Sequence, residues 1–100
     1  MNIALAVTQA ANAKSDAVRG YACARWYVRF YGLDRATRAA LVKACKAHEL
    51  TWLGRDSGRN KDAIYVGYDN ADGKAQARAE TMAATLKSHG LQCYADGEAD

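Results

Sequence analysis

ARWYVRFYG, residues 24–32, is the stretch from which the fold can be read. Taken with a period of two, Trp26, Val28 and Phe30 point to one side, and Arg25, Tyr27, Arg29 and Tyr31 to the other. The aromatic and β-branched content fits a strand, and Gly32 ends it. The first side is a core face. The second alternates arginine with tyrosine, so it is either a binding platform or a surface that another part of the chain covers.

Working outward, Asp34 is a helix N-cap for LDRATRAALVKACKAHEL, whose Thr37, Leu41, Ala44, Cys45 and His48 share one face. LTWLGRD is a short strand and SGRNK a turn. In the strand DAIYVGYD, Ile64, Val66 and Tyr68 alternate with Ala63, Tyr65 and Gly67. NADGKAQARAETMAATLKSHG is a helix that Asn70 or Asp72 can cap and Gly90 stops, with Ala75, Ala79, Met82, Ala83 and Leu86 inward. LQCYADG is the last strand. At the other end, Ile3, Val7, Ala10, Ala17 or Val18, and Tyr21 recur at helical spacing and predict an N-terminal helix, although NIALAV also reads as a short strand.

The resulting order from residue 24 is strand, helix, strand, strand, helix, strand. This predicts an α+β, ferredoxin-like βαββαβ domain with a four-stranded antiparallel sheet, strand order fourth-first-third-second, and an additional N-terminal helix. Residues 1–22 would be that helix, 23–97 the ferredoxin-like core and 98–100 an acidic tail, all within one domain. The apolar stripe of the N-terminal helix must be buried. Packing it across the outer sheet face would turn the tyrosines into a second core, and a homodimer through the sheets would do the same.

The 100 residues are half hydrophobic and a quarter charged, a globular composition. No apolar run has the roughly 18 residues a membrane span needs, and no basic segment precedes the N-terminal apolar residues, so a cytoplasmic protein is expected. Three well-separated cysteines, Cys23, Cys45 and Cys93, read as free thiols. The net charge of +3 is unevenly spread. Residues 1–61 hold eleven Lys/Arg and four Asp/Glu, a net of +7, and residues 62–100 three and seven, a net of −4. The expected topology sorts these charges into poles. Arg35, Arg38, Arg55, Arg59 and Lys61 gather at one end of the sheet, and Asp69, Asp72, Asp96, Glu98 and Asp100 at the other.

Signatures of catalysis are not evident. His48 and His89 fall near helix C-termini, where the dipole favours them. No Cys or His spacing matches a zinc site, and YDNADG has neither the first nor the twelfth ligand of a calcium loop. There is no phosphate-binding Gly-Lys motif or dinucleotide fingerprint. FYGLDR lacks the glycine-rich loop of acylphosphatases, which share this size and fold. No enzyme, metal or cofactor is expected.

Two resemblances suggest functions. KDAIYVGY resembles the third-strand octapeptide of RNA-recognition-motif domains: Lys61, Tyr65, Val66 and Tyr68 match basic, aromatic, aliphatic and aromatic positions, while Asp62, Ala63 and Ile64 depart from the pattern. That resemblance implies single-stranded nucleic-acid binding, for which the outward residues of the predicted sheet, Arg25, Tyr27, Arg29, Tyr65 and Tyr94, would form the platform. In size, composition and charge polarity the chain also resembles small phage or mobile-element proteins of the anti-CRISPR type. This implies a non-enzymatic inhibitor that occludes a host protein or nucleoprotein. Its acidic pole would enter a lysine-lined nucleic-acid channel, or its basic pole would grip an acidic patch. Protein binding through the poles is the leading expectation, and nucleic-acid binding through the sheet the alternative.

Overall fold

The computed structural model describes residues 1–15 and 23–99. The anticipated helical positions Ala17, Val18 and Tyr21, and Asp100 of the acidic pole, lie outside the described residues.

Helix α1 (Ile3–Asn12) starts where the Asn2 side chain accepts from Leu5 N at 3.0 Å. It is shorter than its periodicity suggested. Asn12 turns its side-chain amide back onto the Thr8 carbonyl, Ala13 N closes onto Ala10 O, and Ala13 is extended. Strand β1 (Cys23–Phe30) follows, ended by a turn with Gly32 at φ +65°. Asp34 caps α2 (Arg35–Ala47) by accepting from Thr37 N at 2.7 Å, a bond that lowers its carboxyl pKa. Strand β2 (Thr51–Leu53) is short. Where the end of a strand and a turn were expected, Arg55–Asn60 forms 3₁₀ structure kinked at Gly58. Strand β3 (Ala63–Asn70), α3 (Lys74–Ser88) and β4 (Cys93–Ala99) complete the chain.

The architecture is α+β: an open four-stranded sheet ordered β2-β3-β1-β4, every neighbouring pair antiparallel. Trp26, Val28 and Phe30 lie on the core side as their alternation required. Val28 and Phe30 form one cluster with Leu41 and Cys45 of α2, Ile64 of β3, Met82 and Leu86 of α3, and Cys93 of β4. Each large apolar side chain removed from water here contributes about 1.5–3 kcal/mol.

Helix α1 does not cover the outer sheet face. Its buried residues Ala6, Val7 and Ala10 belong to that same core cluster, and the helix packs against both α2 and α3. The physical reason is size and polarity. A stripe of two alanines and a valine fits closely between two helices, whereas it has nothing to offer the arginines of the outer face. The helix is also held at its polar edge. Thr8 Oγ1 lies 2.9 Å from His48 Nε2, and Gln9 Oε1 2.6 Å from His89 Nε2. The two histidines that cap α2 and α3 at their C-termini thus both reach α1.

Two local features set the faces of the sheet. The β1/β3 register slips between Trp26 and Tyr27, so that Tyr27 faces Tyr65 but Trp26 faces Gly67. The bulge reverses the expected phase of β3 beyond Val66. Tyr68 comes opposite Arg25 on the outer face, instead of joining Ile64 in the core. Trp26 also faces Gly97 of β4, where an added Cβ would come within 2.7 Å of its indole. Strand β4 runs to Ala99, so Glu98 is a strand residue paired with Arg25 and not part of a tail.

Candidate functional site

The outer sheet face is built from the alternate residues of β1, β3 and β4. At the end of β1, Tyr31 and Tyr94 stand side by side with ring centroids 6.2 Å apart, 56% and 45% exposed. At the opposite end Tyr68, 47% exposed, lies across from Arg25. Between them Arg29 organises a polar network. Its Nε donates to Asp96 Oδ2 at 2.6 Å, its Nη2 to Glu98 Oε2 at 3.2 Å and its Nη1 to Asn60 Oδ1 at 3.2 Å. Arg59 donates to the other Glu98 oxygen at 2.6 Å. The β2–β3 connection is thereby tied over the sheet to β4.

Beneath this network lies Tyr27, only 4% exposed, with the Arg29 guanidinium 4.6 Å from its ring centroid and the Tyr65 ring 5.5 Å away. Burial, and next the carboxylate of Glu98, push its phenol above the ordinary value. Tyr27 therefore stays neutral and presents no open ring face. Of the anticipated sheet-face residues, Tyr94 and Arg25 are exposed, Tyr65 is half-buried, and Arg29 and Tyr27 are engaged by neighbours.

The acidic pole is largely used within the molecule. Asp69, 1% exposed, accepts from Ala75 N at 2.6 Å and Gln76 N at 3.1 Å, capping α3 from a distance while Gly73 occupies the N-cap at φ +74°. Asp72 is exposed and accepts from Lys74 N. Asp96 and Glu98 face arginines and do not form a free acidic cluster. β4 lies beside β1 as the expected order required, but the expected poles do not stand apart, because Asp96 and Glu98 are bonded to Arg29, and Glu98 also to Arg59 of the basic set.

The basic end is assembled in part. Arg35, Arg38 and Arg55 line a groove of about 700 Å³ with Ala39 and Val42, and Arg38, Arg55, Lys61 and Asp62 line an adjoining hollow of about 200 Å³. Arg59 is drawn away to Glu98. Arg38 forks onto Asp62 at 2.8 and 3.0 Å and holds that carboxyl below its ordinary value, its own pKa rising in return.

Sequence reasoning did not include Tyr31, Tyr68, Asn60, Asp62 and Val42 in these sites. Gly67 within a strand was the available hint of the bulge that turns Tyr68 outward. The position of Asn60 follows from the kink at Gly58, which has no periodic signature.

Among the thiols, burial pushes Cys45 and Cys93 up to about 11, too high for a thiolate at neutral pH. Half-buried Cys23 donates to Asn70 Oδ1. Among the described residues, no three His, Cys, Asp or Glu are grouped so as to hold a metal ion, and no helix is long and apolar enough to cross a membrane. Comparison with family models, curated proteins and solved structures finds no match to this chain.

Proposed function

We propose that the protein is a non-enzymatic protein-binding module whose docking surface is the outer sheet face. The observation that carries this reading is the placement of α1 among the other helices, which leaves Tyr31, Tyr94 and Tyr68 about half exposed on a sheet face with no helix over it among the described residues. Tyrosines framing an arginine held by carboxylates are the side chains that concentrate binding energy in protein interfaces. Near-balanced charge favours a protein surface over a phosphate backbone, since Asp96 and Glu98 offset Arg25 and Arg29. Read from β4, the strand order is the one the ferredoxin-like pattern requires, which supports assigning residues 23–99 to that fold with α1 as an addition. In the phage-inhibitor reading the partner is a host nucleoprotein, occluded by this face in the host cytoplasm.

The alternative, single-stranded nucleic acid on the same face, is supported by Tyr94, Tyr68 and Arg25. It is disfavoured by the buried ring of Tyr27 and by the two carboxylates.

The test is capture from a host lysate with and without nuclease, using the wild type and a Tyr31→Ala/Tyr94→Ala variant. The protein-docking reading requires a captured protein that survives nuclease and is lost with the double variant. Capture abolished by nuclease, together with salt-dependent binding of oligothymidylate weakened by roughly 1–3 kcal/mol on Tyr94→Ala, establishes the alternative instead.

A further inference from the structure

The groove between α2 and the β2–β3 connection lies apart from the tyrosine face, and it has three properties of its own. First, its cations are available. The side chains of Arg35 and Arg55 have no hydrogen bond or ion pair among the described residues, and α2 carries Arg35, Arg38, Lys43 and Lys46 without a single acid. Second, its floor is apolar. Val42 is 41% exposed, and exposed Ala39 lies beside it with Arg35, Arg38 and Arg55 around them. Third, its wall is fixed. Arg38 is held in a two-pronged bond to Asp62, whose backbone N donates to Leu53 O at 2.7 Å and whose carbonyl accepts from Phe30 N at 3.0 Å. The anchoring carboxylate is thus built into the junction of β1, β2 and β3, leaving Arg35, Arg55 and Lys61 to face a ligand.

We infer that this groove binds an acidic protein segment, with carboxylates on Arg35, Arg55 and Lys61 and an aliphatic side chain against Ala39 and Val42. Guanidinium forks match carboxylates, as the Arg38–Asp62 pair in the same groove shows. The lining residues include no aromatic ring, so a single-stranded nucleic acid would find phosphate contacts here but nothing on which to stack a base. A charged rim around an apolar centre is the arrangement in which the rim governs encounter and the centre governs residence.

The experiment is fluorescence anisotropy with three labelled probes: an acidic peptide with a central leucine pair, its Gln/Asn counterpart, and oligothymidylate of equal length. Each is titrated at low and at near-physiological salt. Binding of the acidic peptide but not of the neutral one is expected. Arg35→Gln/Arg55→Gln weakens it about tenfold or more, and Val42→Ser about threefold at both salts. All these positions are exposed, and unchanged thermal melts confirm that the variants fold. The Tyr31→Ala/Tyr94→Ala variant keeps peptide binding, which separates this site from the sheet face. The inference is overturned if the acidic peptide does not bind, if Val42→Ser leaves its affinity unchanged, or if oligothymidylate binds as tightly and is lost with the same arginines.

Discussion

Asp69 is the most informative residue to change, because the sequence placed it in a partner-binding pole and the structure buries it. Its carboxylate oxygens accept from Ala75 N and Gln76 N, two of the amides that the first turn of α3 leaves without helical partners. Asp69→Ala removes both acceptors at a site where water has little access, since the residue is 1% exposed. Loss of a cap costs typically about 1 kcal/mol, and stranding partly buried amides adds a similar amount or more, so a loss of about 2–3 kcal/mol is expected. For a domain of this size that corresponds to a fall in Tm of about 10–20 °C. Asp69→Asn keeps one acceptor but sets an amide NH₂ against the second donor, so an intermediate loss of about 1–2 kcal/mol is expected. Urea unfolding followed by the fluorescence of Trp26 and Trp52 gives both values, with an unchanged m confirming that the same surface is exposed. The reasoning is refuted if Asp69→Ala unfolds within about 0.5 kcal/mol of the wild type. It is equally refuted if partner capture disappears while stability stays intact, because the carboxylate would then be acting outward.

Four further predictions concern other parts of the molecule. Gly97→Ala places a Cβ 2.7 Å from the Trp26 ring and should cost about 1–3 kcal/mol with a shifted tryptophan emission maximum; unchanged emission and stability would mean that the ring has room to move. A thiol reagent at about pH 8 should label Cys23 in the native protein and reach Cys45 and Cys93 only at the unfolding rate. Both buried thiols hold their protons to about 11 when folded against a reference value of 9.0. The folded state therefore binds more protons than the unfolded state between those values, and stability should fall as pH rises through that window, with Tyr27 acting in the same direction above 10.0. Arg38→Ala should return the Asp62 carboxyl toward its ordinary value of 3.8 in a carboxyl-detected NMR titration. In the wild type, the stability from that pair is present above the ordinary value and is lost as pH falls through the depressed one. An unmoved Asp62 titration in the variant would show that Arg38 is not its partner in solution.

Much of the fold is legible in the sequence because local physics and tertiary demands agree there. Trp26, Val28 and Phe30 alternate and pack inward, Asp34 caps α2 as its position suggests, and the inward positions Leu41, Cys45, Met82 and Leu86 are buried. The misreadings arise where a long-range arrangement decides. Whether the alanine stripe of α1 covers the outer sheet face or enters the helix layer depends on the spacing of α2 and α3, which no local period encodes. A bulge of one residue moves Tyr68 to the other face, and only Gly67 hinted at it. The candidate sites were legible as residue types and not as groupings. Arg29, Asp96 and Glu98 were all singled out as binding groups, but on adjacent strands whose pairing was expected their side chains bond one another, which strand order alone does not specify. Arg35, Arg38 and Arg55 do converge, because the start of α2 and the end of β2 lie at the same end of the sheet.

The central position of β1 bears on how the chain is made. This strand leaves the ribosome before both of its neighbours: Arg25 faces Tyr68 of β3 on one side and Glu98 of β4 on the other. Until those strands emerge, the nascent chain carries WYVRF with two bare edges and an uncovered apolar side. Loop closure over such distances is slow, so the final strand sets when the domain can fold. The alternating arginines of β1 then matter already in the unfinished chain. They keep charge on the strand that is exposed longest, which disfavours pairing between neighbouring unfinished chains.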